Sequence, residues 1–256
     1  MSFPPAQKSH RNITGIEGAM DQIDDFVDDR QKAWCIHCEK GIAGQDNNRD
    51  HVPTKKLLQE PHPENLPVVQ VCKSCNSSFS MDEEYLIAFL SSVLSGSTDP
   101  QRQRIPSAAR ILKRNNMLRA RIQESRLEGP PLVGDAGIIW KPESKRIERV
   151  ILKNARGHVY FELGEPMLSP PRLIRAIPME AISGDERLEF ENVDSGSLFP
   201  EVGSRMLIRI VTGQDIEDGW VIVQEDVYRY AVMWDGEITV RTVLYDYLAT
   251  EVRWDA

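Results

Sequence analysis

The spacing of apolar residues predicts two helices between residues 80 and 124. Apolar side chains recur on one helix face between residues 85 and 94, at Tyr85, Leu86, Phe89, Leu90, Val93 and Leu94. We expect Asn76 to open a helix, and the capping-box spacing of Ser80 to Glu83 predicts that a new helix starts at Ser80. Glu83 and Glu84 are expected on its exposed first turn, with contact to a metal ion as the alternative. A thinner apolar stripe predicts a second helix from about Ser107 to Glu124.

The second half of the chain has the pattern of an α+β fold with an antiparallel sheet. One long helix is predicted over Ser144 to Leu163, with apolar residues on one face and with Lys153, Arg156 and His158 as exposed charges. Five apolar runs predict strands, at residues 172–177, 205–211, 219–224, 227–234 and 238–244. The last two runs are joined through Asp235-Gly236, which is a strong signal for a hairpin.

Composition and turn signals suggest how the 256 residues divide. Gly129-Pro130-Pro131 is a suitable domain boundary. We expect a lead segment over residues 1–32, a small module over 33–98, a basic helical region over 99–128 and an α+β domain over 129–256. No apolar stretch is long enough to span a membrane, and the polar N-terminus lacks the apolar run of a secretory signal, so we expect a cytoplasmic protein.

All four cysteines lie in two Cys-x-x-Cys pairs, Cys35 with Cys38 and Cys72 with Cys75. Each such pair forms a knuckle that directs two thiolates at one ion, which predicts a tetrahedral zinc site. Four thiolates leave no open coordination position, so this zinc would be structural. Two disulfides or free core thiols are the alternatives, and a reducing compartment disfavours the disulfides.

The residues between and beside the two pairs carry possible hydrolytic chemistry. His51 can take a proton from water near neutral pH, while the Asp50 carboxylate and the Asn76 amide oxygen are hard ligands suited to Mg²⁺. Residues 66–71 form an apolar, β-branched run that predicts a strand leading into Cys72. We expect an earlier strand to begin at Ala33, a loop over residues 39–49, and His37 and His62 to be structural or exposed.

Asp50-His51, Asn65 in Glu-Asn-Leu, and Asn76 directly after the last cysteine together resemble the HNH (ββα-metal) endonucleases, in particular the zinc-stapled endonuclease VII type. The resemblance covers residues 33–90. It implies a ββα-metal module with a zinc ion on the four cysteines, His51 as general base, Asn65 orienting His51, and Mg²⁺ or Mn²⁺ on Asp50 and Asn76. The family carries His or Asn at the last position, and the Asn76 of this chain leaves the metal preference open.

The net charge of −8 is unevenly distributed. Residues 101–126 carry eight basic side chains against one acid, a net charge of +7, whereas residues 180–256 carry 17 acids against six arginines, a net charge of −11. The basic segment favours contact with a phosphate backbone over a merely solvated face. The candidate nucleic-acid-binding residues are Lys55, Lys56, Arg110, Lys113, Arg114 and Arg121.

These observations favour a metal-dependent endonuclease that hydrolyses DNA. By analogy with the family, such a protein would serve phage defence or a mobile element. The acidic C-terminal region would bind a protein partner or mediate self-association. Three alternatives remain open: a non-catalytic zinc module that binds nucleic acid, an RNase, and an interaction protein whose acidic end mimics DNA or binds a basic subunit.

Overall fold

A computed structural model of the chain describes residues 33–42, 47–64, 66–132, 135–164, 166–193, 205–213 and 215–255. The predicted lead segment and Asn65 lie outside these residues. The described chain is α+β, with six α-helices and ten strands. The predicted α+β class and its antiparallel sheet are confirmed, while the ββα-metal module stays a prediction.

The N-terminal half holds two strands followed by a long helix, and then two short helices. In chain order these are β1 (Asn47–His51), β2 (Val68–Cys72), α1 (Lys73–Ser95), α2 (Pro106–Arg114) and α3 (Asn116–Glu124). Single turns of 3₁₀ helix occur at Lys55–Leu57 and Pro100–Arg102.

The C-terminal half holds a separate hairpin, a central helix and a six-stranded sheet. Its elements are β3 (Arg126–Leu132), β4 (Asp135–Trp140), α4 (Ser144–Leu163), β5 (Leu173–Pro178), a 3₁₀ turn at Met179–Ala181, α5 (Gly184–Glu191), α6 (Arg205–Thr212), β6 (Ile216–Glu217), β7 (Trp220–Gln224), β8 (Tyr228–Trp234), β9 (Glu237–Leu244) and β10 (Leu248–Asp255).

β1 and β2 form an antiparallel pair whose second strand continues directly into α1. Asn47 pairs with Cys72, and His51 pairs with Val68. The Sγ of Cys72 accepts from the backbone N–H of Cys75, so Cys72 caps α1 and the helix begins at Lys73. The predicted opening at Asn76 is therefore three residues late, and the predicted new helix at Ser80 is wrong because Ser80 lies inside α1. Ala33 does not begin a strand either, because its neighbour Trp34 makes only an isolated bridge to Gly41 and the first strand begins at Asn47.

The basic segment folds as two short helices rather than the single one predicted. Asn115 lies between α2 and α3 with an extended backbone (φ −114°, ψ 85°), and its side chain accepts from the N–H of Leu118. Asparagine favours such capping positions over helix interiors, because its side chain competes for backbone donors. The segment therefore turns at Asn115.

The large sheet is wholly antiparallel, with strand order β5-β10-β9-β8-β7-β6. The predicted hairpin at Asp235-Gly236 joins β8 to β9, and Gly236 adopts the positive φ (68°) that this turn needs. The strand predicted at residues 205–211 is wrong, since this run forms α6. β10, which lies between β5 and β9, has no counterpart in the sequence prediction.

α4 has the predicted bounds, and its apolar face packs on the large sheet and on α1. One hydrophobic core includes residues from α1, α2, α3 and α4 and from strands β7, β8, β9 and β10. Gly129-Pro130-Pro131, the predicted domain boundary, lies within β3. The division into domains stays a prediction, while the shared core shows that α1 and α4 pack as neighbours.

Candidate functional site

The four cysteines converge on one point, and we call this group the cysteine cluster. The Sγ atoms of Cys35, Cys38, Cys72 and Cys75 all lie within 4.8 Å of one another, and those of Cys38 and Cys72 are 3.7 Å apart. A tetrahedral zinc with bonds of about 2.3 Å to sulfur needs sulfur atoms about 3.8 Å apart. All four thiols are free, so disulfides are absent among them. The cluster can therefore hold a metal ion such as zinc.

Local backbone structure creates both knuckles. The N–H of Cys35 donates to the carbonyl of Lys40 (2.9 Å), and Glu39 takes a positive φ (61°) that closes the first turn. The second knuckle is the junction of β2 with α1. Burial opposes ionisation of the Cys72 thiol, but hydrogen bonds from Ser74 and the Cys75 N–H outweigh it and lower the pKa of Cys72 to about 6. Such a thiol is a ready metal ligand.

Arg156 of α4 braces the first knuckle. Its guanidinium donates to the carbonyl of His37 (3.1 Å) and to that of Leu168 (3.2 Å). Burial lowers the pKa of Arg156, while the nearby Cys35 and Cys75 thiols favour its charge. The His37 ring is buried and packs edge-on against Phe79 with 4.9 Å between centroids, which agrees with a structural role.

Asp50 belongs to a second polar group, which we call the lysine–carboxylate cluster: Lys153, Asp50, Glu83 and Lys56. Both carboxylate oxygens of Asp50 lie 3.0 Å from Lys153 Nζ, and Glu83 Oε1 lies 2.5 Å from the same nitrogen. Lys56 Nζ lies 3.3 Å from Glu83 Oε2. The Lys153 side chain is only 2% exposed. Burial raises the pKa of Asp50, against the lowering effect of Lys153.

Glu83 is the acid of α1 that faces Asp50, and its predicted exposure is wrong. It lies in the interior of α1 and is buried. Burial opposes its charge, but Lys153 and Lys56 bring the pKa of Glu83 below its usual value. Asn76 lies seven residues earlier on α1, about 10 Å along the helix axis. Asp50 therefore meets α1 at the level of Glu83.

His51, the candidate base, ends β1 and is half-buried. Burial lowers the pKa of His51 to about 4, with further contributions from Lys55, Arg49 and His62. The imidazole is therefore neutral at pH 7 and carries a lone pair that can accept a proton. The same neighbours give His51 a positively charged surrounding suited to an anionic phosphate.

Three α4 residues contact the segments on either side of His51, and a fourth, Arg156, contacts the first knuckle; the sequence analysis predicted none of these contacts. Besides Lys153 and Arg156, Asn154 Oδ1 accepts from the N–H of Thr54 (3.0 Å). A Cβ at Gly157 would lie 2.6 Å from a Val52 methyl, so only glycine lets α4 approach this closely. The predicted exposure of Lys153 and His158 is wrong, since both side chains are buried.

The predicted phosphate-binding arginines have partners that their own segment does not contain. Arg110 pairs with Glu60 (2.9 Å), Arg114 with Glu84 (2.8 Å) and Arg121 with Glu143 (2.7 Å). Their side chains remain 66%, 69% and 63% exposed, and Lys113 is also exposed. Exposed ion pairs are weak, so these side chains remain accessible to a polyanion.

Comparisons with known proteins give the chain no relative. Among the described residues, no helix combines the length and the apolar character needed to cross a membrane. No protein-family model, no curated protein and no solved structure matches the chain.

Proposed function

We propose that β1, β2 and α1 form a nuclease module of the HNH type that is stabilised by a structural zinc. This module hydrolyses phosphodiester bonds of DNA. The observation that carries the proposal is the arrangement around His51. A neutral imidazole ends β1, beside the strand that runs into the cysteine cluster and α1. This order of elements and residues is what the resemblance to HNH endonucleases implies.

In this proposal His51 is the general base. It removes a proton from a water molecule whose oxygen attacks phosphorus, while the P–O bond to the leaving sugar breaks and the released alkoxide takes a proton from solvent. Lys55 and Arg49 offset the negative charge of the phosphate. The zinc, held by four thiolates, maintains the geometry and takes no part in the reaction.

The divalent ion that the resemblance implies does not fit the residues present. Asp50 has both oxygens on Lys153, and Asn76 lies about two helix turns from the level of Asp50 on α1. The charges of Asp50, Glu83, Lys153 and Lys56 already cancel. We therefore route no step through Mg²⁺ or Mn²⁺.

The ion pair between Asp50 and Lys153 favours a second candidate function, a zinc-stapled module that binds nucleic acid without cutting it. In that case Asp50 would be purely structural, and the exposed arginines of α2 and α3 would provide the contact with phosphate. Partner binding through the acidic C-terminal region stays a prediction.

Cleavage assays on several substrates separate these candidates. Supercoiled plasmid, single-stranded DNA and single-stranded RNA are incubated with zinc-loaded protein, with and without added Mg²⁺ or Mn²⁺. We expect plasmid nicking that falls by about 10²–10⁴-fold in His51→Ala, the usual contribution of a general base. Zinc content and melting temperature of the variant serve as folding controls.

Three results would redirect the proposal. Equal nicking by His51→Ala would remove His51 as the base. Cleavage confined to RNA would make the chain an RNase. Nucleic-acid binding without any cleavage would support the binding module instead.

A further inference from the structure

We propose that the ammonium group of Lys153 is a built-in cation at the site formed by Asp50 and Glu83, so that this site binds no divalent metal. The inference about metal binding does not depend on whether the chain is a nuclease. The consequence for catalysis, that cleavage at His51 needs no Mg²⁺ or Mn²⁺, rests on the proposed nuclease function.

The Lys153 ammonium group is surrounded by carboxylate oxygens, as a bound metal ion would be. Its Nζ lies 2.5–3.0 Å from three carboxylate oxygens, two of Asp50 and one of Glu83. The two carboxylate side chains are 9% and 8% exposed, so little water competes for them. Two buried carboxylates that are close to each other repel unless a cation lies between them.

Charge balance argues against a second cation. With Lys56 beside Glu83, the cluster contains two carboxylates and two ammonium groups. A divalent ion would raise its net charge from zero to +2 in a region with little water. Burying uncompensated charge in such a region is strongly unfavourable.

Among the described residues, the ion pairs of Lys153 are those with Asp50 and Glu83. Lys153 lies in the middle of α4, with its ammonium group 5.8 Å from the centre of the Phe79 ring. The next acid on α1, Asp82, already accepts from Arg146 (2.6 Å) and from Arg149. An incoming metal would therefore have to displace the Lys153 ammonium group from both of its carboxylate partners.

Manganese binding tests the inference without any dependence on activity. Zinc-loaded wild-type protein is titrated with Mn²⁺ and free Mn²⁺ is followed by electron paramagnetic resonance. We expect no wild-type site in the micromolar range. Lys153→Met frees Asp50 and Glu83, and we expect it to bind one Mn²⁺ per chain at least about tenfold more tightly than any wild-type site.

Matched variants identify the site. Lys145→Met removes an exposed lysine from the same helix and should behave as wild type. Glu83→Gln added to Lys153→Met should weaken the new site by at least about 10–100-fold, the usual effect of losing even a residue that only supports a ligand. Lys153→Arg retains the positive charge and should bind no Mn²⁺.

Two results would overturn the inference. The first is micromolar Mn²⁺ binding by the wild type that disappears in Asp50→Asn, a result that requires no Lys153 variant to fold. The second is a folded, zinc-loaded Lys153→Met that gains no Mn²⁺. Absence of cleavage together with absence of wild-type Mn²⁺ binding would remove the proposed nuclease and leave the built-in cation in place.

Discussion

The cysteine cluster and the lysine–carboxylate cluster adjoin the same strand pair and helix, yet they differ in their capacity to bind a metal ion. The first presents four sulfur ligands at zinc spacing, and the nearby Arg156 donates to backbone carbonyls instead of entering the cluster. The second presents two carboxylates that already share the ammonium group of Lys153. Ligand type alone therefore does not define a metal site. What distinguishes the two is whether the fold supplies the counter-charge itself.

The largest effect should come from opening the cysteine cluster. Cys72→Ser removes a zinc ligand, while its hydroxyl can still accept from the Cys75 N–H and cap α1, so we expect loss of zinc and about 5 kcal/mol or more of unfolding free energy. For a chain of this size that corresponds to a melting temperature lower by roughly 10–20 °C. Zinc analysis and calorimetry measure both. Ser74→Ala, which removes only the hydroxyl beside Cys72 Sγ, should keep its zinc, and equal losses in the two variants would argue against a metal role.

Removing the internal cation should have the next largest effect. Lys153→Met leaves two buried acids without their shared partner and should lower the unfolding free energy by about 3–5 kcal/mol, measured in urea. Adding Asp50→Asn and Glu83→Gln removes the unpaired charges and should restore more than half of the loss. A loss below about 1 kcal/mol in the single variant would contradict this account, since exposed substitutions such as Lys145→Met typically change stability by about 0.5 kcal/mol.

A moderate effect should come from the contact between α4 and the turn after His51. Gly157→Ala places a methyl group against Val52 and should cost about 1–3 kcal/mol. Because β-branched Val52 cannot swing aside freely, Val52→Ala in the same chain should relieve the clash. Gly184→Ala, where the added methyl meets no neighbour, provides the control. Equal effects at Gly157 and Gly184 would show that the close approach does not matter.

The smallest stability effects should come from the exposed arginines. Arg110→Ala, Arg114→Ala and Arg121→Ala should each change the unfolding free energy by less than about 1 kcal/mol. If they contact phosphate, the triple variant should lower the salt dependence of DNA affinity by about 0.9 per lost contact. Fluorescence anisotropy of a labelled duplex at several salt concentrations measures this slope. Arg187→Ala, in an exposed pair with Glu191, is the matched control, and identical slopes would place the DNA elsewhere.

The sequence predicts elements whose signals are local. The bounds of α4 are predictable because its apolar stripe runs along the whole helix, and Gly164 ends it in the left-handed conformation. Asp235-Gly236 locates a hairpin because the turn itself demands a positive φ. α6 resembles a strand in sequence because an apolar run of this length has no decisive period. β10 escapes prediction because Glu251 suggests an exposed position until its pairing with Arg241 on β9 is known.

The candidate site divides in the same way. The cysteine pairs are visible because each ligand has its partner three residues later. The burial and pairing of Lys153 are hard to predict from a single sequence, because its partners lie on β1 and on α1, far away in the chain. A weak signal does exist: Lys153, Asn154 and Gly157 interrupt or border the apolar stripe of α4, where solvent-facing residues would not be expected. Gly157 in particular has poor helix propensity, and the close approach of Val52 explains it.

The distance of 103 residues between Asp50 and Lys153 also affects how the protein is made. At about 5–20 residues per second, Lys153 is synthesised roughly 5–20 s after Asp50. During that interval both cysteine pairs have left the ribosome or are leaving it, so zinc can close them while the two acids are still hydrated. The nascent N-terminal unit would thus pass through a stage in which Asp50 and Glu83 lack their cation, and completion of α4 would bring Lys153 between them.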